Sequence, residues 1–61
     1  MSYKLRAKRV EVGIKQGEMA KYLGVSPQYL CKVEKGQTSP RLDLMKKISA
    51  VLNIPISELF L

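Results

Sequence analysis

The 61 residues carry eleven Lys and Arg against five Asp and Glu, a net charge of +6, with one cysteine and no histidine. So short a chain makes a single domain, residues 1–61, and buries only about 60% of its unfolded surface. Neither a disulfide nor a zinc staple can form around Cys31 alone, which leaves helix packing and self-association as sources of stability. The charge favours a polyanionic partner, nucleic acid first. From composition alone, a solvated basic surface explains it equally well.

No apolar run approaches the ~20 residues of a membrane span. The N-terminus is polar and basic, unlike a secretory signal. A lone cysteine fits a cytoplasmic protein.

The spacing predicts helix 1 over Ser2–Val12, capped by the Ser2 hydroxyl and closed by Gly13. Leu5, Arg9 and Val12 share one face, an unusual place for an arginine. Lys4, Arg6 and Lys8 lie elsewhere around the helix. Ile14 leads into helix 2, Gln16–Leu23, whose inward face is Met19, Ala20 and Leu23. Ala20 is small enough for a crossing helix to come close. Gly24 supplies the positive φ of a sharp turn, and Val25 can plug that turn into the core.

Ser26 and Pro27 start helix 3 as N-cap and first helical residue, and Gly36 ends it. Leu30, Val33 and Glu34 fall on one face; Gln28, Lys32 and Lys35 fall on the opposite one. Gln37–Pro40 reads as a loop. Ser39–Pro40 repeats the cap-then-proline signal and opens helix 4, Arg41–Leu52, with an apolar stripe of Leu44, Ile48, Val51 and Leu52. Lys46 and Lys47 face outward. Asn53 ends that helix, and Pro55 starts a short helix 5, Ile56–Phe60. The expected fold class is all-α.

Helix 3 offers hydrogen-bonding groups on one stripe, and a helix fits the major groove of B-DNA. A Gln amide suits adenine, and Lys suits the O6 and N7 acceptors of guanine. An ordinary amphipathic helix with a wet outer face competes with this reading. The spacing adds weight. Counting Gln16 as first, Ala20 is fifth, Gly24 ninth, Leu30 fifteenth and Val33 eighteenth. A small residue, a turn glycine and two core aliphatics at these offsets are what two tightly crossed helices need.

These residues resemble the helix-turn-helix of the phage-repressor and Cro family, the Xre class, with the motif at 16–35. The resemblance covers nearly the whole chain: Leu5-Arg6, Arg9, Gln16, Ala20, Leu23-Gly24-Val25-Ser26, Leu30, Val33-Glu34, Gly36, Pro40 and Leu59-Phe60 all sit where that pattern has such residues. It implies a compact five-helix domain of the lambda-repressor-like type, cytoplasmic and encoded by a bacterium or phage. It also implies an ion pair between Arg9 and Glu34, which both fall on inward faces, so the pair reads as structural. Gln16 matches the family glutamine that hydrogen-bonds a DNA phosphate, and free N–H groups at a helix N-terminus favour an anion there. By resemblance the loop around Lys35, Gln37, Thr38 and Arg41 contacts the DNA backbone, and Lys15 and Arg6 join the phosphate set. A plain solvated loop competes for Gln37 and Thr38.

Two departures shift the expectation. Pro27 occupies a position where many relatives carry a base-reading polar residue; it has no donor and can only touch a thymine methyl. Readout therefore moves to Gln28, Lys32 and Tyr29. Lys15 replaces the Ser or Thr that often caps helix 2, so that helix start is expected to fray without a phosphate. Cys31, on a flank of helix 3, is a packing residue in preference to a redox sensor, since no resolving cysteine exists.

Ile54, Ile56, Leu59, Phe60 and Leu61 are many apolar groups for the end of a small chain. Some must close the core; Ile56, Leu59, Phe60 and Leu61 are expected to line a homodimer interface. An enzyme is the weakest functional reading, because no His, carboxylate pair or phosphate-cradling loop is present. Nothing calls for a cofactor, a metal or a small-molecule substrate. The expected function is a sequence-specific, double-stranded-DNA-binding regulator of transcription, a repressor acting as a homodimer. The alternative is a protein-binding module, such as an antitoxin or adaptor, that uses the C-terminal apolar patch. RNA binding is a third option, but RNA readers usually offer stacking aromatics, and here Tyr3, Tyr22, Tyr29 and Phe60 are scattered, with only Tyr29 near the proposed face.

Overall fold

Helix ends in this chain fall where the sequence supplies residues suited to leave the helical conformation. A computed structural model describes residues 4–60, and among them it contains α1 (Leu5–Val12), α2 (Gln16–Leu23), α3 (Pro27–Glu34), α4 (Leu42–Leu52) and α5 (Ile56–Phe60), with no strand. The expected Ser2 cap and Leu61 lie outside the described residues.

The first three helices close in the same way. After α1, Gly13 takes φ 86°, its N–H reaches the Val10 carbonyl, and the Ile14 N–H reaches back to that of Arg9. After α2, Gly24 takes φ 73° and the Val25 N–H returns to Ala20. After α3, the Gly36 and Gln37 N–H groups bond Val33 and Lys32. This left-handed closure satisfies carbonyls that the helix itself leaves free. At the end of α4 the same conformation falls to Asn53, at φ 56°, the one described non-glycine residue with positive φ. The Ser49 hydroxyl donates to the Ile54 carbonyl just beyond, at 2.7 Å.

Helix starts differ more. Ser26 caps α3 as expected: its Oγ accepts the Tyr29 N–H at 3.1 Å, and Pro27 takes the first helical position. At α4 the expectation needs correction. Arg41 is extended (φ −71°, ψ 159°) and stands before the helix, whose first residue is Leu42. Pro40 is buried, unlike the exposed Pro27, so packing fixes the chain path there and the helix starts two residues after the proline. No side chain caps this start; Asp43 in the first turn places negative charge near the free N–H groups.

α2 packs on α3 and α4, while α5 packs on α4 and α1. Leu5, Met19, Leu30, Val33, Ile48 and Leu59 are fully enclosed, with Ala20, Leu23, Leu52 and Phe60 completing the core. The small Ala20 lies at 1% exposure on the inner face of α2, the helix that packs on both α3 and α4. Val12, the last residue of α1, departs from the expected inward face and is 47% exposed. A second correction concerns α5. Leu59 is 0% exposed and Phe60 9%, so the core encloses both and they are not a free dimer surface. Ile56 is half-buried and packs against the same core.

Candidate nucleic-acid interface

The inward set on α3 decides what the helix shows outside. With Leu30, Val33 and Glu34 buried, Pro27, Gln28, Lys32 and Lys35 are left exposed. These four line one shallow hollow with Gln16, Cys31 and Gln37. A second hollow shares Gln16, Cys31 and Lys35 and adds Arg6 from α1, with Arg9 and Glu34 at its floor. Donors and cations from three helices thus form one continuous surface. Its charge is positive at Arg6, Lys32 and Lys35, and the only carboxylate among the described residues that line it, Glu34, is buried.

Under that surface lies a hydrogen-bonded cluster. Arg9 Nε donates to Glu34 Oε2 at 2.6 Å, and Arg9 Nη2 to Oε1 at 3.3 Å. Arg9 Nη1 donates to the Ile14 carbonyl at 2.8 Å, which ties in the segment before α2. The Gln16 amide nitrogen donates to Glu34 Oε1 at 2.9 Å. The Arg9–Glu34 pair is present as expected. The Gln16 bond to it was not anticipated, since 18 positions separate the two residues and no local pattern links them. No buried side-chain nitrogen or oxygen among the described residues lacks a partner.

Other expected site residues fall elsewhere. Tyr29, expected among the base readers, is half-buried and packs against the core. It borders a separate groove with Val25, Leu44, Arg41 and Lys47. Arg41 lines that groove together with Lys47, which the sequence showed only as an outward lysine. Thr38 is half-buried and Lys15 exposed. A lysine ammonium has no lone pair and cannot cap, yet the start of α2 is supported: the Lys15 backbone N–H donates to the Glu18 carboxylate at 3.4 Å. The position of Cys31 in both hollows follows from its place between the inner and outer faces of α3.

Among the described residues no group of His, Cys, Asp and Glu is placed to hold a metal ion, and no helix is long and apolar enough to cross a membrane.

Two short helices crossing at a glycine turn, the second with a polar stripe turned outward, define a helix-turn-helix. The Helix-turn-helix family model matches residues 5–59, and the chain belongs to that family, in its phage-repressor and Cro branch. The chain is 39% identical over 57 residues to the HTH-type transcriptional regulator SlrR of Bacillus subtilis, covering 92% of this chain and 38% of SlrR. It is 38% identical over 58 residues to the cryptic phage CTXphi transcriptional repressor RstR of Vibrio cholerae, covering 95% of this chain and 52% of RstR. An HTH-type transcriptional regulator of Archaeoglobus fulgidus is 38% identical over 61 residues, covering 100% of this chain and 87% of the relative. Among solved structures, the restriction-modification controller protein C.AhdI of Aeromonas hydrophila superposes with a TM-score of 0.84 at 33% identity, over 93% of this chain and 86% of that one. The chain thus corresponds to about half or less of SlrR and RstR and to most of the archaeal regulator and C.AhdI.

Proposed function

We propose that this chain is a sequence-specific regulator of transcription that binds double-stranded DNA with α3 in the major groove. The observation that carries the proposal is the continuity of the outer stripe of α3 with Gln16 and Arg6 in one basic surface. The names of the relatives point the same way.

Roles follow from chemistry. The Gln28 amide can pair with adenine N6 and N7, and Lys32 can donate to guanine O6 and N7. Pro27 offers only apolar contact with a thymine methyl. Arg6, Lys35 and Gln37, with Gln16, face the DNA backbone and set register without reading sequence. Arg41, with Lys47 beside it, and Lys15 reach backbone further along, and Thr38 adds a hydroxyl. The proposed mode of action is a repressor in the cytoplasm that occludes polymerase at a promoter.

A homodimer on a palindromic operator completes the proposal, with two copies of α3 about 34 Å apart, one turn of DNA. Because the core encloses Leu59 and Phe60, such a dimer must use other surface, with Ile56 as the described C-terminal candidate.

Selection from random duplexes tests the reading. Enrichment of a palindromic site supports both partner and symmetry; a single half-site supports a monomeric reader. No enrichment favours the protein-binding alternative, an antitoxin or adaptor.

A further inference from the structure

We infer that Glu34 is a positioning residue for DNA binding as well as the partner of Arg9: it holds the Gln16 amide so that one N–H stays available to a DNA phosphate. The inference rests on the proposed DNA-binding role and deepens it.

A carboxylate clamped by a guanidinium can only accept hydrogen bonds. The Gln16 amide must therefore turn its nitrogen, and not its oxygen, toward Glu34 Oε1, where it lies 2.9 Å away. That nitrogen carries two N–H groups. One is taken by Glu34; the other has no partner among the described residues. Gln16 is half-buried and stands where the Arg6–Lys35 hollow meets the Gln28–Lys32 hollow. A free glutamine there would rotate and offer its oxygen to an incoming anion part of the time. Glu34 removes that orientation before binding, which is the gain that preorganisation brings. Arg9 is necessary to this arrangement, because its charge offsets that of Glu34 and lets a carboxylate sit beneath a phosphate site.

The test is a double-mutant cycle on DNA affinity. Gln16→Met keeps the length of the side chain and removes its donor. Glu34→Asp keeps the charge for Arg9 and withdraws the carboxylate from Gln16 by one methylene. Affinities are measured for specific and random duplexes over a range of salt and corrected for the folded fraction. Gln16→Met should weaken both kinds of binding by about 10-fold, the effect of one hydrogen bond to a charged group. Its salt slope should stay at the wild-type value, because a neutral amide releases no counterion. Glu34→Asp should weaken both alike, and the double variant should bind no worse than Gln16→Met. In the wild-type protein, one Gln16 side-chain amide proton should be protected from exchange without DNA, and the other should shift when duplex is added. Multiplying losses in the cycle, or two equally unprotected amide protons, would overturn the inference while wild-type binding left the DNA reading intact. Should Glu34→Asp fail to fold, the amide-proton measurement decides alone. Failure of the wild-type chain to bind any duplex would overturn the DNA reading, and this inference with it.

Discussion

Arg9 and Glu34, 25 positions apart, meet at 2.6 Å with side chains only 9% and 2% exposed. The pair joins α1 to the end of α3, and its further bonds to the Ile14 carbonyl and the Gln16 amide bring in the α1–α2 connection and the first residue of α2. It therefore ties α3 to α1 and to the segment between α1 and α2. A buried pair adds little net stability over an apolar one, yet removal of one partner leaves an uncompensated charge and costs about 3–5 kcal/mol. Arg9→Met should lower the unfolding free energy by that amount in urea titrations. In a domain this small the variant should be largely unfolded without denaturant. Arg9→Met combined with Glu34→Leu should recover most of the loss. A loss under about 1 kcal/mol for Arg9→Met would contradict the buried-pair account.

Lys32 is exposed on the outer stripe of α3, one turn after Gln28. If it reads a guanine, Lys32→Ala removes base discrimination worth about 1–3 kcal/mol. The ratio of specific to random DNA affinity should fall by about 5–150-fold, while stability changes little at so exposed a position. Competition binding against random duplex measures that ratio. An unchanged ratio with uniformly weaker binding would move Lys32 to the phosphate contacts.

What the sequence made legible follows the range of the interactions involved. α2 and the start of α3 were readable because their signals are local: Gly24 for the turn, and Ser26 with Pro27 for the cap. The inward set of α3 followed from period alone. The start of α4 falls one residue later than the same logic places it, since Ser39–Pro40 looks like Ser26–Pro27 but Pro40 is buried and Arg41 stands before the helix. Tyr29 follows Gln28 on the same helix, and only its packing against the core shows that it leans inward. Gln16 on Glu34 depends on the tertiary crossing of α2 and α3. The C-terminal apolar cluster was visible, but nothing in its composition separates a residue that closes its own core from one that meets a partner.

That ambiguity yields a prediction for α5. Leu59 is fully enclosed, so Leu59→Glu should unfold the domain instead of yielding a folded monomer. Even Leu59→Ala should cost about 2–5 kcal/mol. Ile56 is half-buried, and Ile56→Glu should leave more of the helical signal. Circular dichroism reports folding and sedimentation reports assembly. A folded, monomeric Leu59→Glu variant would restore this residue to the dimer interface.

Gly17 within α2 and Gly24 just after it should respond to alanine in opposite directions. Gly24 sits at φ 73°, and a Cβ added there meets nothing within 4 Å. Crowding is therefore absent, and the penalty of Gly24→Ala comes from the left-handed backbone alone, about 1–2 kcal/mol. Gly24→Asn should cost less, as asparagine tolerates that region. Gly17 is helical, and a Cβ there also meets nothing within 4 Å. Here alanine removes unfolded-chain entropy without strain, so Gly17→Ala should stabilise by about 0.4–1 kcal/mol. Thermal and urea unfolding of the three variants measure the contrast. DNA affinity adds a second reading at Gly17. If the DNA backbone closes tightly on the N-terminus of α2, the Cβ that fits the free protein should weaken binding to all sequences alike. Gain in stability with unchanged affinity would show instead that the duplex stands off this turn and that Gln16 reaches it through its side chain alone.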